Sequence, residues 1–118
     1  MKMKSLVLVA LSSLFAMSSF AADMNCNGTE PFWHISVQGK TLTYTTPSDV
    51  PTMKLKIVSI RDAAGMTPGF ATVMKTKYAT LTTVMGECSD GMSDVVYSHH
   101  AVFDIGGTVL AGCCNMAK

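Results

Sequence analysis

Hydrophobic and polar residues alternate with a period of two in short runs along most of the chain after residue 22. The run 53–60 shows the pattern most clearly, because Leu55 and Ile57 fall on one face of a strand while Lys54 and Lys56 fall on the other. Threonine, valine, isoleucine and aromatic residues dominate these runs, and Gly, Pro, Asp and Ser separate them. This composition is typical of an all-β protein.

The runs predict about seven strands joined by short loops. Gly39-Lys40 and Gly106-Gly107 suit tight hairpin turns. Asn27-Gly28 suits a turn before the first strand. The segment 62–64 could form a single helical turn. We therefore expect antiparallel strands in up-and-down order, closed as a small barrel or packed as a sandwich. The predicted strands are 31–38, 41–46, 53–60, 70–78, 78–85, 95–104 and 109–114.

The N-terminus has a different pattern. Lys2 and Lys4 precede a mostly apolar run at 6–17, which is shorter than the roughly 20 residues that span a bilayer. Ser19 and Ala21 have the small-x-small spacing of a cleavage site. We predict a secretory signal peptide over 1–21 and a single exported all-β domain over 22–118, periplasmic or secreted, without a membrane span.

The net charge gives the exported domain no overall attraction for polyanions. Without Lys2 and Lys4, seven of the nine Lys and Arg remain against eight Asp and Glu, so the exported domain has a net charge near −1. A domain with this balance has no general attraction for nucleic acid or for an anionic membrane.

The four cysteines all lie in the predicted exported domain, where an even number indicates a disulfide framework. A bridge between the adjacent Cys113 and Cys114 is disfavoured, because neighbouring Cα atoms lie about 3.8 Å apart. Two pairings remain open, with Cys26 bound to either Cys113 or Cys114 and Cys88 bound to the other. Since neighbours in a strand point to opposite faces, the two bridges should leave the last strand on opposite sides.

Residues with catalytic or ligand-binding chemistry are few. Trp33 is in phase with the apolar positions of its strand, so we expect it in the core. His99 and His100 should diverge from each other, and we expect the histidines to be solvated or half-buried. We find no GxSxG, HExxH or phosphate-binding loop, and so predict neither an enzyme nor a cofactor. Glu30 could cap backbone amides of a neighbouring loop.

The segment GECSDGMSDVVY, 86–97, is the candidate for partner binding. Asp90-Gly91 suits a tight turn, and Ser89, Ser93 and Asp94 can bond loop amides. Met92 stands among these polar residues either as a plug beneath the loop, which we favour, or as an apolar contact for a partner. The candidate partner-binding residues are Ser89, Asp90, Gly91, Met92, Ser93 and Asp94.

Two stretches carry a family resemblance. CNGTEPFWHISV, 26–37, and CSDGMSDVVYSHHAVFDIGGTVLAGCC, 88–114, resemble a family of small, uncharacterised exported bacterial proteins and lipoproteins, sometimes found beside META-type heat-shock or lysozyme-inhibitor-like domains. Ser98 stands where the family usually has proline. The resemblance implies a Cys88–Cys113 bridge, which leaves Cys26 to pair with Cys114. The first motif comprises Gly28, Thr29, Glu30, Pro31, Phe32 and Trp33.

These observations lead to one principal functional hypothesis and two alternatives. The first is a non-catalytic binding or envelope-maintenance module that acts through surface loops. The second is a periplasmic lysozyme inhibitor, suggested by a looser analogy of size, export and disulfide use, in which the loop Ser89–Asp94 enters the enzyme cleft. The third is an envelope metal-binding protein that uses its histidines and methionines.

Overall fold

The computed structural model describes residues 23–48 and 50–117. The predicted signal peptide, 1–21, lies outside these residues. In the described part the chain forms eight strands and no helix. The strands are β1 (Met24–Thr29), β2 (Phe32–Gln38), β3 (Thr41–Thr45), β4 (Met53–Asp62), β5 (Ala71–Thr76), β6 (Ala79–Ser89), β7 (Val96–Ile105) and β8 (Thr108–Met116).

The eight strands form a closed antiparallel barrel in sequence order, with β8 hydrogen-bonded to β1. The all-β, up-and-down prediction is confirmed, and of the two predicted architectures the chain adopts the barrel. The predicted number of strands was one too low. Closure leaves no unpaired sheet edge, and such an edge is the feature through which β proteins aggregate.

The strand missed by the sequence prediction is β1. Asn27-Gly28 was expected to form a turn, but it lies within β1, where Asn27 pairs with His34 on one side and with Cys113 on the other. The expected turn is therefore wrong at this position. Asparagine and glycine are poor strand formers, and tertiary pairing on both sides overrides that preference.

Alternation along the strands places one face of every strand in a common core. Trp33 is 3% exposed and stacks on Phe103 with ring centroids 6.1 Å apart, which confirms the expected core position. Leu55 and Ile57 are buried while Lys54 and Lys56 are exposed, as the pattern of β4 predicts. Within the described residues, no helix is long and apolar enough to cross a membrane.

The segment 62–64 forms no helical turn, contrary to the prediction. Asp62 is the last residue of β4, and the amide of Ala63 donates to the carbonyl of Ala71 at 2.9 Å. The strand therefore extends beyond its predicted end, because hairpin pairing with β5 continues as far as Asp62.

Two disulfides leave β8 on opposite sides, as expected from strand geometry. Cys26 pairs with Cys114 inside the barrel core, and Cys88 pairs with Cys113 on the other face of β8. This is the pairing that the family resemblance implies. Two disulfides indicate an oxidising, extracytoplasmic environment.

Candidate functional site

The hairpin of β6 and β7 extends beyond the barrel wall. β7 pairs with β8 only as far as His99, whereas its pairing with β6 continues through Tyr97 to Val96. The register shifts between Met85 and Cys88, where the strand becomes irregular. The Cys88–Cys113 bridge then ties the end of β6 to β8, with Cα atoms 5.6 Å apart. We refer to residues 89–95, which follow this bridge, as the Asp90 loop.

The carboxylate of Asp90 organises this loop. Its Oδ1 accepts hydrogen bonds from the amides of Met92 at 2.8 Å and Ser93 at 2.9 Å. Its Oδ2 accepts from the hydroxyls of Ser93 at 3.1 Å and Tyr97 at 3.2 Å. The two backbone amides, followed by the hydroxyls, hold the pKa of Asp90 below its ordinary value. The loop is thus built around one ionised side chain.

A second contact joins the Asp90 loop to the barrel. The hydroxyl of Thr29 donates to the carbonyl of Asp90 at 3.2 Å. Thr29 is the last residue of β1 and belongs to the GTEPFW stretch, while Asp90 belongs to CSDGMS. The two stretches that carry the family resemblance therefore meet in space, although 61 residues separate them.

Polar side chains also lie beside the loop on β1, β2 and β7. The Tyr97 hydroxyl donates to Asp90 at 3.2 Å, and on the neighbouring strands His34 Nδ1 lies 2.8 Å from Oδ1 of Asn27. Since that oxygen only accepts, His34 Nδ1 carries the proton. Burial and the Asp90 charge raise the pKa of Tyr97, so its hydroxyl stays protonated and remains a donor.

The loop and the barrel wall enclose a surface groove of about 490 Å³, which we call the loop groove. Two large apolar side chains on its rim face solvent, with Phe32 53% exposed and Met92 65% exposed. The half-buried Asn27, His34 and Tyr97 form its polar floor. The lining residues used below are Asn27, Phe32, His34, Thr45, Met92 and Tyr97.

The glycines of the two stretches make room for Trp33. A Cβ at Gly28 would overlap the indole nitrogen of Trp33, and a Cβ at Gly112 would overlap the Asn27 carbonyl and lie 2.8 Å from the indole ring. The turn between β1 and β2 contains a cis peptide bond between Glu30 and Pro31. The GTEPFW stretch thus has a packing role beneath the groove.

The structure corrects several expectations for individual site residues. Met92 is exposed and is not a plug beneath the loop. Ser89 and Ser93 bond the amides of Gly91 and Val95 as expected, but Asp94 bonds no amide within the described residues, because Asp90 occupies that role. Glu30 is exposed, and it caps no loop amide among residues 23–48 and 50–117. The positive φ of Gly91, 78°, fits the expected turn.

The histidines have three different environments. His34 is half-buried and His100 exposed, but His99 is only 5% exposed, which contradicts its expected solvent access. His99 points inward on β7, and its Nδ1 lies 2.7 Å from the Ser98 hydroxyl. Among residues 23–48 and 50–117, no three His, Cys, Asp or Glu side chains come together as a group that could hold a metal ion.

Sequence reasoning did not identify Asn27, His34, Thr45 or Tyr97 as lining residues. Cross-strand pairing of Asn27 with His34 would have indicated the polar floor, but that pairing requires β1 to be recognised as a strand. Tyr97 could have been found from its position next to the loop, where it faces Cys88 across the hairpin.

The Asp90 carboxylate is a poor general base. It accepts hydrogen bonds from four donor groups, and these bonds lower its pKa. No family model, curated protein or solved structure matches the chain. The interpretation of the site therefore depends on its own geometry.

Proposed function

We propose that this chain is an exported, periplasmic binding module that recognises a partner protein through the loop groove and performs no catalysis. The observation that carries the proposal is the construction of the groove. Its wall, the Asp90 loop, is tied to the barrel by a disulfide and by the Thr29 hydroxyl, while Met92 on that wall stays exposed.

A fixed wall favours binding because little conformational entropy remains to be lost. Ordering a flexible loop on association costs free energy for each immobilised side chain, and this loop is already ordered by the Asp90 hydrogen bonds. Phe32 and Met92 are exposed and line the same groove, so a partner that fills the groove could bury both side chains.

The composition of the groove suggests the nature of its occupant. Phe32 and Met92 provide an apolar contact, and methionine adapts readily to differently shaped partners. Asn27, His34 and Tyr97 provide directional hydrogen bonds beneath it. The matching ligand is an extended protein segment that presents one apolar side chain next to a polar group.

A lysozyme inhibitor is the second candidate, and the exposure of Met92 on a disulfide-rooted loop favours it. An inhibitor of this kind presents its loop to the enzyme cleft as a projection. Here Thr29 and Tyr97 hold the Asp90 loop against the barrel, so the concave groove is the better supported binding surface.

Site-specific photocrosslinking in cells tests the principal proposal. A photoreactive residue replaces Phe32 or Met92, and the matched controls carry it at Val102 or Val109, which are exposed on β7 and β8. We expect a discrete crosslinked adduct from the two groove positions alone. Adducts of equal yield from the control positions, or none from the groove in folded protein, would contradict the proposal.

Inhibition assays separate the two candidates. The oxidised protein is titrated against c-type and g-type lysozymes, with the Met92→Ala variant and the reduced protein as comparisons. The principal proposal predicts no inhibition. Dose-dependent inhibition that both Met92→Ala and reduction abolish would favour the inhibitor instead.

A further inference from the structure

The cationic side chains of the barrel gather on one wall. Of the nine Lys and Arg, six lie between residues 40 and 77, and four of these lysines are exposed on β4, on β5 and in the turn after β5. We define the basic face by these four lysines and two exposed neighbours. It consists of Lys54, Lys56, Lys75, Lys77, Val58 and Tyr78.

The register of β4 and β5 brings these lysines close together. The ladder of β4 and β5 ends at the pair Ile57 and Thr76, and the residues directly beyond it are Lys56 on β4 and Lys77 just after β5. Like charges that lie near each other on a sheet repel. Within the described residues, no carboxylate forms an ion pair with any of the four lysines, and Lys56 and Lys54 face Thr41 and Thr43 on β3. The barrel therefore presents these positive charges without neutralising them by an acidic partner.

Two apolar side chains lie among these charges. Val58 occupies the irregular position between Ile57 and Ser59 and is 64% exposed, and Tyr78 is 61% exposed in the turn that follows Lys77. The Lys77 ammonium lies 5.6 Å from the centre of the Tyr78 ring. Tyrosine and lysine together are suited to a lipid–water interface, where the ring enters the headgroup layer and the ammonium contacts phosphate.

We propose that the basic face docks on the surface of a membrane that contains anionic phospholipids. Charge complementarity supports this occupant, and the exposed Val58 and Tyr78 favour a lipid surface over a purely polar polyanion. The net charge of the exported domain, near −1, conceals this attraction because four of its acidic residues, Glu30, Glu87, Asp90 and Asp94, lie off β4 and β5, and on these two strands only Asp62, the last residue of β4, is acidic. The inference does not depend on the function proposed for the loop groove.

Vesicle sedimentation with the oxidised, exported protein tests the proposal. We expect binding to phosphatidylcholine vesicles that contain about a third phosphatidylglycerol, none to pure phosphatidylcholine, and loss of most binding at about 0.5 M NaCl. Lys54→Gln with Lys56→Gln should weaken the affinity about 30-fold, at about fivefold per lysine. Lys75→Gln with Lys77→Gln should give a similar loss, and Tyr78→Ser should weaken the binding that remains at high salt.

The matched control is Val102→Glu with Val109→Glu, which lowers the net charge by the same two units on β7 and β8, with β8 across the barrel from β4. We expect this variant to bind the anionic vesicles as the unchanged protein does. Equal loss in the control, equal binding to neutral vesicles, or absence of vesicle binding by folded protein would overturn the proposal. Binding to heparin but not to vesicles would also overturn it, in favour of a polyanionic partner.

Discussion

At the scale of single residues, Trp33 explains why two positions must be glycine. Its indole fills the space that a side chain at Gly28 or Gly112 would need, and its ring stacks on Phe103 in the core. One large side chain thereby sets the local spacing of β1, β2 and β8 just below the loop groove.

Gly112→Ala should lower the free energy of unfolding by about 1–3 kcal/mol, because the new methyl group overlaps the Asn27 carbonyl and crowds Trp33. Urea denaturation followed by Trp33 fluorescence measures the change. The control is Ala111→Ser at the exposed neighbouring position. A Gly112→Ala protein as stable as the control would show that Trp33 does not restrict this position.

Asp90 provides the second residue-scale prediction. Its lowered pKa means that the loop contacts contribute stability above about pH 3.9, the unfolded value, and lose it as the pH falls through the lower folded pKa. In Tyr97→Phe, which removes one donor, the pKa of Asp90 should rise. Carboxyl-carbon NMR titration measures it, with Tyr78→Phe as the control. The prediction fails if the Asp90 titration is the same in both variants.

At the scale of structural elements, the two disulfides have separate tasks. Cys26–Cys114 links the first and last strands within the core, and Cys88–Cys113 fixes the root of the Asp90 loop. The two cysteines of the first bridge are 88 residues apart in sequence and those of the second are 25 apart. The first bridge therefore restricts the unfolded chain more than the second.

Replacing each pair by alanine should separate these tasks. From the chain-entropy relation, loss of Cys26–Cys114 should cost about 4.6 kcal/mol and loss of Cys88–Cys113 about 3.5 kcal/mol. Urea unfolding measures both. Only the second variant should alter the chemical shifts of the Asp90 loop while the barrel strands keep theirs. A greater cost for the second pair would contradict this assignment.

The sequence was informative wherever alternation was regular. β4 and the core position of Trp33 could be predicted because apolar and polar residues alternate over several positions in those strands. β1 could not be predicted, because two of its three outward positions are asparagines and one of its inward positions is Gly28, and both residue types are typical of turns. Asn27 and His34 therefore remained unconnected in the prediction, although they form the floor of the groove.

The environment of Met92 depended on long-range contacts. Its local sequence is polar and compatible with a buried plug as well as with an exposed contact. The Thr29–Asp90 hydrogen bond and the Cys88–Cys113 bridge hold the loop against the outer surface of the barrel, where Met92 is 65% exposed. Neither contact follows from spacing along the chain.

At the scale of the whole molecule, the closed barrel places its two candidate binding surfaces on different strands. The loop groove involves β1, β2 and β3, and the basic face lies on β4 and β5. A domain docked through its basic face would leave the groove available to a partner. The two proposals are therefore compatible, and each is tested by its own variants.

The binding role rests on the Asp90 loop being a fixed wall of the groove, and backbone ¹⁵N relaxation of the oxidised protein measures this directly. We expect order parameters of about 0.8 for residues 89–97, close to those of the barrel strands, and a fall toward about 0.6 in Asp90→Ala with the strands unchanged. Order parameters below about 0.6 across 90–95 in the unchanged protein would contradict it, because a mobile loop cannot form a preorganised groove.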